Sequence, residues 1–285
     1  MIIKILKVIA GILLSVILIC CSTLALGSFA AERATSEAAI RTAIDKTDVI
    51  PVLMNEVLKE NTVNMGGVYG SAAKAIMDTD PMKDFVAAYM AASISSQIYG
   101  RDVEEIANDE LMVAFAQGVD IAAEEKGFRL TTKENEEIRE AMLETIPALT
   151  AKLNDALDRY ETTALNEEMQ QRTKDLHNIV SPGFRYGSLA TALLAAILLI
   201  MLFWRSRMGF MWAAVGVLLA SCFYVVVALV SNSFAGQSGT FVEPVKRMLY
   251  VMCEYGSTRI AMVGGGIGIL LIILCCIARA LRRER

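Results

Sequence analysis

The C-terminal third of the chain constrains the fold most. Three apolar segments, Ser188–Trp204, Gly209–Val230 and Ile260–Ala278, follow one another with short polar breaks. Each approaches or exceeds the roughly 20 apolar residues that carry a helix across the hydrocarbon core of a bilayer. A fourth apolar run, Val8 to Phe29, follows Lys4 and Lys7 near the N-terminus. The chain is therefore expected to be all-α: a multi-pass helical membrane protein with an extracytoplasmic helical-bundle domain inserted between the first and second spans. Residues 1–30 would form an N-terminal membrane anchor or a signal peptide. Residues 31–186 would form the acidic extracytoplasmic helical domain with a stalk, and residues 187–285 a three-span bundle ending in a short basic cytoplasmic tail.

The first run admits two fates. Ser28, Phe29 and Ala30 place small residues at the −3 and −1 positions of a signal-peptidase site, just ahead of Glu32 and Arg33. An uncleaved anchor is favoured, because the run from Val8 to Phe29 exceeds the about 7–15 apolar residues of an ordinary leader. A lipoprotein reading of Cys20 or Cys21 fails, since Ile19 and Cys20 precede them where a small residue is wanted.

Charge separates the regions. The formal net charge is −4, yet residues 31–186 hold 16 Lys/Arg against 28 Asp/Glu, a local balance of −12. Such a segment repels nucleic acid, so no nucleic-acid partner is expected. None of the six cysteines falls in that segment, and neither a disulfide framework nor a zinc spacing can be drawn.

Apolar residues recur at helical spacing through the acidic segment. Ala38, Ile40 and Ile44 suggest a first helix. Asp80 is read as an N-cap with Pro81 at N1, opening a helix with Met82, Phe85, Tyr89, Ala92, Ser96 and Tyr99 on one face and a stop at Gly100. Asn108 is expected to cap a helix striped by Met112, Phe115, Val119 and Ala122, which Gly127 ends. Thr131 to Glu134 reads as a capping box for a further helix that Pro147 kinks or splits. Residues 166–175 read as a solvated stalk, and an interfacial helix within 231–259 is expected to stop at Gly256.

Basic residues orient the spans. Lys4 and Lys7, Arg205 and Arg207, and Arg279 with Arg282, Arg283 and Arg285 fall on one side if there are four spans. That side should be the cytoplasm, so both termini are expected there, in the cell membrane, unless the first span is cleaved.

Gly264 and Gly268, together with Ser188, Ala192 and Ala196, have the small-residue spacing that lets membrane helices approach closely, and are assigned to helix packing. No catalytic, cofactor or metal residues are expected. His177, the only histidine, has Asp175 nearby and reads as a solvated stalk residue. Asp78 and Asp80 suggest a metal-binding pair, but Asp80 already has a capping role. Cys275 and Cys276 read as small apolar filler rather than acylation sites. No ionisable residue falls within the apolar segments as bounded above, which speaks against an ion or proton pathway.

These readings converge on a non-enzymatic membrane interaction or accessory protein acting through its external helical domain. Its partners would be the bilayer and a second protein, or another copy of itself. A ligand-sensing receptor subunit needing a separate output partner, and a small transporter or channel component, are the alternatives.

Overall fold

The computed structural model describes residues 2–47, 49–50, 75–99, 105, 107–126, 140, 143, 146–148, 150–151, 153–154, 177–204, 208–235 and 243–283. The chain is all-helical, with no strand among the described residues. Seven helices carry the description: α1 (Ile2–Ala34), α2 (Glu37–Lys46), α3 (Asp80–Tyr99), α4 (Asn108–Lys126), α5 (Pro182–Leu202), α6 (Gly209–Ala235) and α7 (Glu243–Arg283). Four of them, α1, α5, α6 and α7, contain stretches long and apolar enough to cross a membrane, as a multi-pass membrane protein requires.

The chain divides into two compact units. The first comprises Met1–Ala34, Asp175–Gly236 and Met252–Arg285; the second comprises Thr35–Lys174 and Gln237–Val251. Helix α7 thus gives its first residues to the second unit and the remainder to the first.

Within the first unit the helices alternate in direction. Gly11 of α1 lies beside Phe203 at the end of α5, while Ser28 meets Arg185 at its start, so α1 and α5 are antiparallel. Gly216 of α6 sits against Leu18, and Tyr224 against Gly27, so α6 runs with α1. Gly256 faces Ala30, and Gly268 faces Leu218, which sets α7 antiparallel to both. The tight turn from α5 to α6 depends on Gly209, where a Cβ would stand 2.6 Å from the Leu199 carbonyl oxygen and strike the Ile200 backbone.

The interior of this unit is built of small side chains. On α1, Gly11, Ser15, Leu18, Ser22, Ala25 and Ser28 are buried, spaced alternately three and four residues apart for most of the run. On α5, Arg185, Ser188, Ala192, Ala195 and Leu199 form the matching seam. Leu18, Ala192, Ala195, Leu199 and Ala213 pack as one cluster. Outward face Leu13, Leu193, Leu194, Leu229, Ile269 and Leu270. Two inward serines bond within their own helices: Ser15 Oγ donates to the Gly11 carbonyl at 2.8 Å and Ser221 Oγ to that of Val217 at 2.8 Å.

The second unit packs differently. Ser36 caps α2, its hydroxyl accepting from the Ala39 amide at 3.4 Å, and α2 buries Ala39, Ile40, Ala43 and Ile44. Met82, Leu111, Ala114 and Ile146 form a core joined by Phe85, Met112, Phe115 and Leu153. Gly118 lets α4 close on the start of α3, near Thr79 and Met82.

Several sequence expectations change. Asp80 is the first residue of α3, not its cap; Thr79 precedes the helix, and its carbonyl accepts from the Lys83 amide at 3.0 Å. The interfacial helix and the last span are one helix that passes straight through Gly256. A mid-helix glycine costs only about 1 kcal/mol, too little to stop a helix whose neighbours pack well. Helix α6 continues to Ala235, past the expected end at Val230. Tyr224 is buried in the bundle. The capping box at Thr131 and the stalk at 166–175 lie outside the described residues, as do Gly100 and Gly127.

Candidate functional site

The most concentrated polar chemistry in the first unit surrounds Arg185. Ser181 caps α5, accepting from the Phe184 amide at 3.3 Å, and Pro182 occupies the first helical position. This start places Arg185 one turn into the helix, on the seam that faces α1. The side chain is 5% exposed. Its Nε donates to Ser28 Oγ at 3.2 Å, Nη1 to Glu32 Oε2 at 2.5 Å and Nη2 to the Val180 carbonyl at 3.3 Å. The Phe29 ring lies 4.9 Å from the guanidinium carbon. All three guanidinium nitrogens are thus engaged, and the charge is met by one carboxylate that is itself partly exposed. Removing one partner from such a buried pair typically costs about 3–5 kcal/mol, whereas the intact pair adds little net stability. What the arrangement supplies is register: it fixes which turn of α1 faces which turn of α5.

Arg185 lies inside α5, ahead of the apolar segment read from Ser188. Bounding the second span at Ser188 left Arg185 at the end of the acidic segment 31–186, whereas the helix begins at Pro182. Glu254 and Arg259 likewise lie within α7, and the Arg259 guanidinium stands 5.3 Å from the Tyr255 ring. One charged residue near a helix end barely alters an averaged hydropathy window, so its incorporation is invisible at that level.

The packing residues take definite places. A side chain at Gly264 would strike Ser221 Oγ, and one at Gly268 would meet Leu218 at 2.6 Å, so both glycines face α6. Ser188 and Ala192 are buried on the α5 seam. Ala196 is only partly buried, because the seam passes to Ala195. Gly256 faces backbone: a Cβ there would collide with the Ala30 carbonyl oxygen. Sequence reasoning missed Gly256 as a contact, having spent it on a helix stop. It also missed the three-four spacing of Gly11, Ser15, Leu18, Ser22 and Ala25, which was legible. Tyr224 adds a polar tie, its hydroxyl donating to the Thr23 carbonyl at 2.6 Å.

Between α6 and α7 the bundle surface carries a groove of about 350 Å³, lined by Val225, Ala228, Leu229, Ala261 and Met262, with Asn232, Glu254 and Thr258 on its polar part.

In the second unit the charged residues form a network between α2 and α3. Arg41 reaches Asp45 within its own helix, Asp80 at 2.5 Å and Asp84 at 2.5 Å. Lys83 joins Asp78 at 2.8 Å and Asp45 at 3.6 Å. Burial disfavours the Arg41 cation, but hydrogen bonds and charge from Asp84 and Asp45 outweigh it and hold its pKa above the ordinary value. Asp78 and Asp80 therefore serve different cations, and no group of three metal-ligating side chains occurs among the described residues. His177 is exposed in the short helical stretch 177–180 before α5; Cys275 is buried, Cys276 exposed.

The outer face of α4 is acidic. Asp109, Glu110, Asp120 and Glu124 are exposed around Ala116 and Gln117, and Val113 is 54% exposed among them. The opposite face buries Leu111, Ala114, Val119 and Ala122.

Comparison with protein-family models, curated proteins and solved structures finds no match to this chain.

Proposed function

We propose that this chain is a non-enzymatic interaction protein of the cell membrane, with both termini cytoplasmic, which holds a basic protein partner through an extracytoplasmic helical unit. The acidic outer face of α4 carries this reading. Four carboxylates surround an exposed Val113 on a helix whose other side is fully used in its own core. Charge of one sign around a small apolar centre suits recognition of a complementary surface, with the charges steering encounter and the apolar atoms adding contact. The Arg41 and Lys83 network adds to the same sign, since two cations meet four carboxylates there. The orientation is supported by Lys7 and Arg279, which belong to helix ends at one end of the bundle.

The test is crosslinking in intact cells, followed by purification of the tagged full chain. The expected result is a discrete crosslinked partner that is lost when Asp109, Asp120 and Glu124 are replaced together by Lys. Recovery of the uncrosslinked chain alone, combined with turnover of a small substrate by the pure protein, would reject the reading in favour of an enzyme. A crosslinked band that survives the charge reversal, or that consists only of a second copy, would remove the basic partner.

A further inference from the structure

We infer that α1 is a permanent member of the bundle, and that tertiary packing around the Ala30–Ala31 bond protects it from signal peptidase. The residues that mark this bond as a cleavage site are the ones the folded bundle uses. Ser28, at the −3 position, is 1% exposed, and its hydroxyl accepts from Arg185 Nε at 3.2 Å. Ala30, at the −1 position, is 7% exposed, and its carbonyl oxygen lies so close to Gly256 that a methyl group there could not fit. Between them, Phe29 lies beneath the guanidinium. Beyond the bond, Glu32 takes Arg185 Nη1 at 2.5 Å. Arg185 therefore holds the chain on both sides of the bond, while α7 closes against it from another direction.

The backbone adds a second obstacle. Helix α1 runs without interruption from Ile2 to Ala34, so the bond lies inside a helix whose peptide groups are hydrogen-bonded to one another. Proteolysis concentrates at exposed, loosely held chain, and this segment is neither.

The rest of α1 gives an independent reason for its retention. A leader needs an apolar run, but it has no need of one face reserved for small residues. Helix α1 has such a face, in Gly11, Ser15, Leu18, Ser22 and Ala25. That face meets Phe203 at the end of α5 and Gly216 of α6, and the neighbouring Leu26 lies beside Gly264 of α7. Removing residues 1–30 would strip these contacts and leave Arg185 without Ser28 inside the bundle. Retention of α1 is independent of what the second unit binds.

The experiment expresses the full chain with a C-terminal tag in a bacterium carrying its own signal peptidase. Membrane-extracted protein is then read by intact mass and N-terminal sequencing. An Arg185→Ala/Gly256→Leu variant is treated in parallel. The wild type is expected to retain α1 in full, and the variant to yield a second species beginning at Ala31. Wild-type protein beginning at Ala31 overturns the inference. A variant that stays whole also overturns it, because the bond then resists cleavage for reasons other than packing. Misfolding of the variant does not blur this outcome, since it exposes the bond further.

Discussion

The two units of this protein are packed on opposite principles. In the second unit Met82, Leu111 and Ile146 are inside with Phe85 and Phe115, and Asp80, Asp84, Asp109 and Glu124 are outside. In the first unit Ala192, Ala195, Ala213, Ser22 and Ser28 are inside, and Leu193, Leu194, Leu229 and Leu270 are outside. Water explains the first pattern, since burying large apolar groups drives the fold at about 25 cal/mol per Å². Lipid explains the second. Hydrocarbon tails are as apolar as leucine, so hiding leucine gains nothing, and close backbone approach and internal hydrogen bonds hold the helices instead. Arginine shows the same inversion. Arg41 spreads over three carboxylates at a charged surface, whereas Arg185 is enclosed with a hydroxyl, a carbonyl, a ring and one carboxylate.

The comparison can be broken most severely at Gly256. Gly256→Leu drives a side chain into the Ala30 backbone, which cannot yield as a side chain would. A loss of about 3 kcal/mol or more is expected, at the upper end of overpacking effects, measured by denaturant unfolding in detergent micelles. The same substitution at Gly265, which faces open space, should leave stability within about 0.5 kcal/mol or raise it. Equal losses at the two positions would deny that contact, rather than helix propensity, sets the cost.

Next comes Arg185→Ala, for which a loss of about 2–3 kcal/mol is expected. This lies below the usual cost of breaking a buried pair, because Glu32 keeps partial access to solvent. Combining it with Glu32→Gln should recover part of the loss, and a double-mutant cycle measures that coupling. Strict additivity would show that the two side chains do not act together.

Smaller effects should sharpen the contrast. Tyr224→Phe removes a hydrogen bond to a carbonyl already placed within α1, so a loss of about 0.6–1 kcal/mol is expected in the same unfolding assay. Arg41→Ala should cost about 1 kcal/mol or less, and this difference should shrink as salt rises from 0.05 to about 1 M, because the network stands at the surface. The Arg185→Ala loss should hardly depend on salt. A salt response of equal size at both arginines would erase the distinction between the units.

Much of the fold was legible because periodicity and length are local properties. The apolar runs marked the four long apolar helices, and the stripe through Met112, Phe115, Val119 and Ala122 marked the inward side of α4. Errors gathered at boundaries and at glycines. Asp80 carries the chemistry of a cap, but its carboxylate is held by Arg41 from another helix. Gly256 carries the chemistry of a helix end, but Ala30 requires its missing side chain. Arg185 fell outside the apolar segment because charge was used to bound it, and its partners Ser28 and Glu32 lie on α1.

The sequence by itself determined that the chain is helical, that four segments are apolar enough to cross a membrane, and that the acidic residues are concentrated between the first span and the rest. These follow from composition over windows of about 20 residues, the scale set by bilayer thickness and helix rise. Tertiary structure alone decided which small residues touch, which charges pair, and that α1 meets all three other spans. A contact between Ala30 and Gly256, or between Ser28 and Arg185, joins positions far apart in the chain, and no local spacing can state that they meet. In a bilayer this matters more than in water, because the apolar pattern that would reveal an inward face is replaced by size and shape.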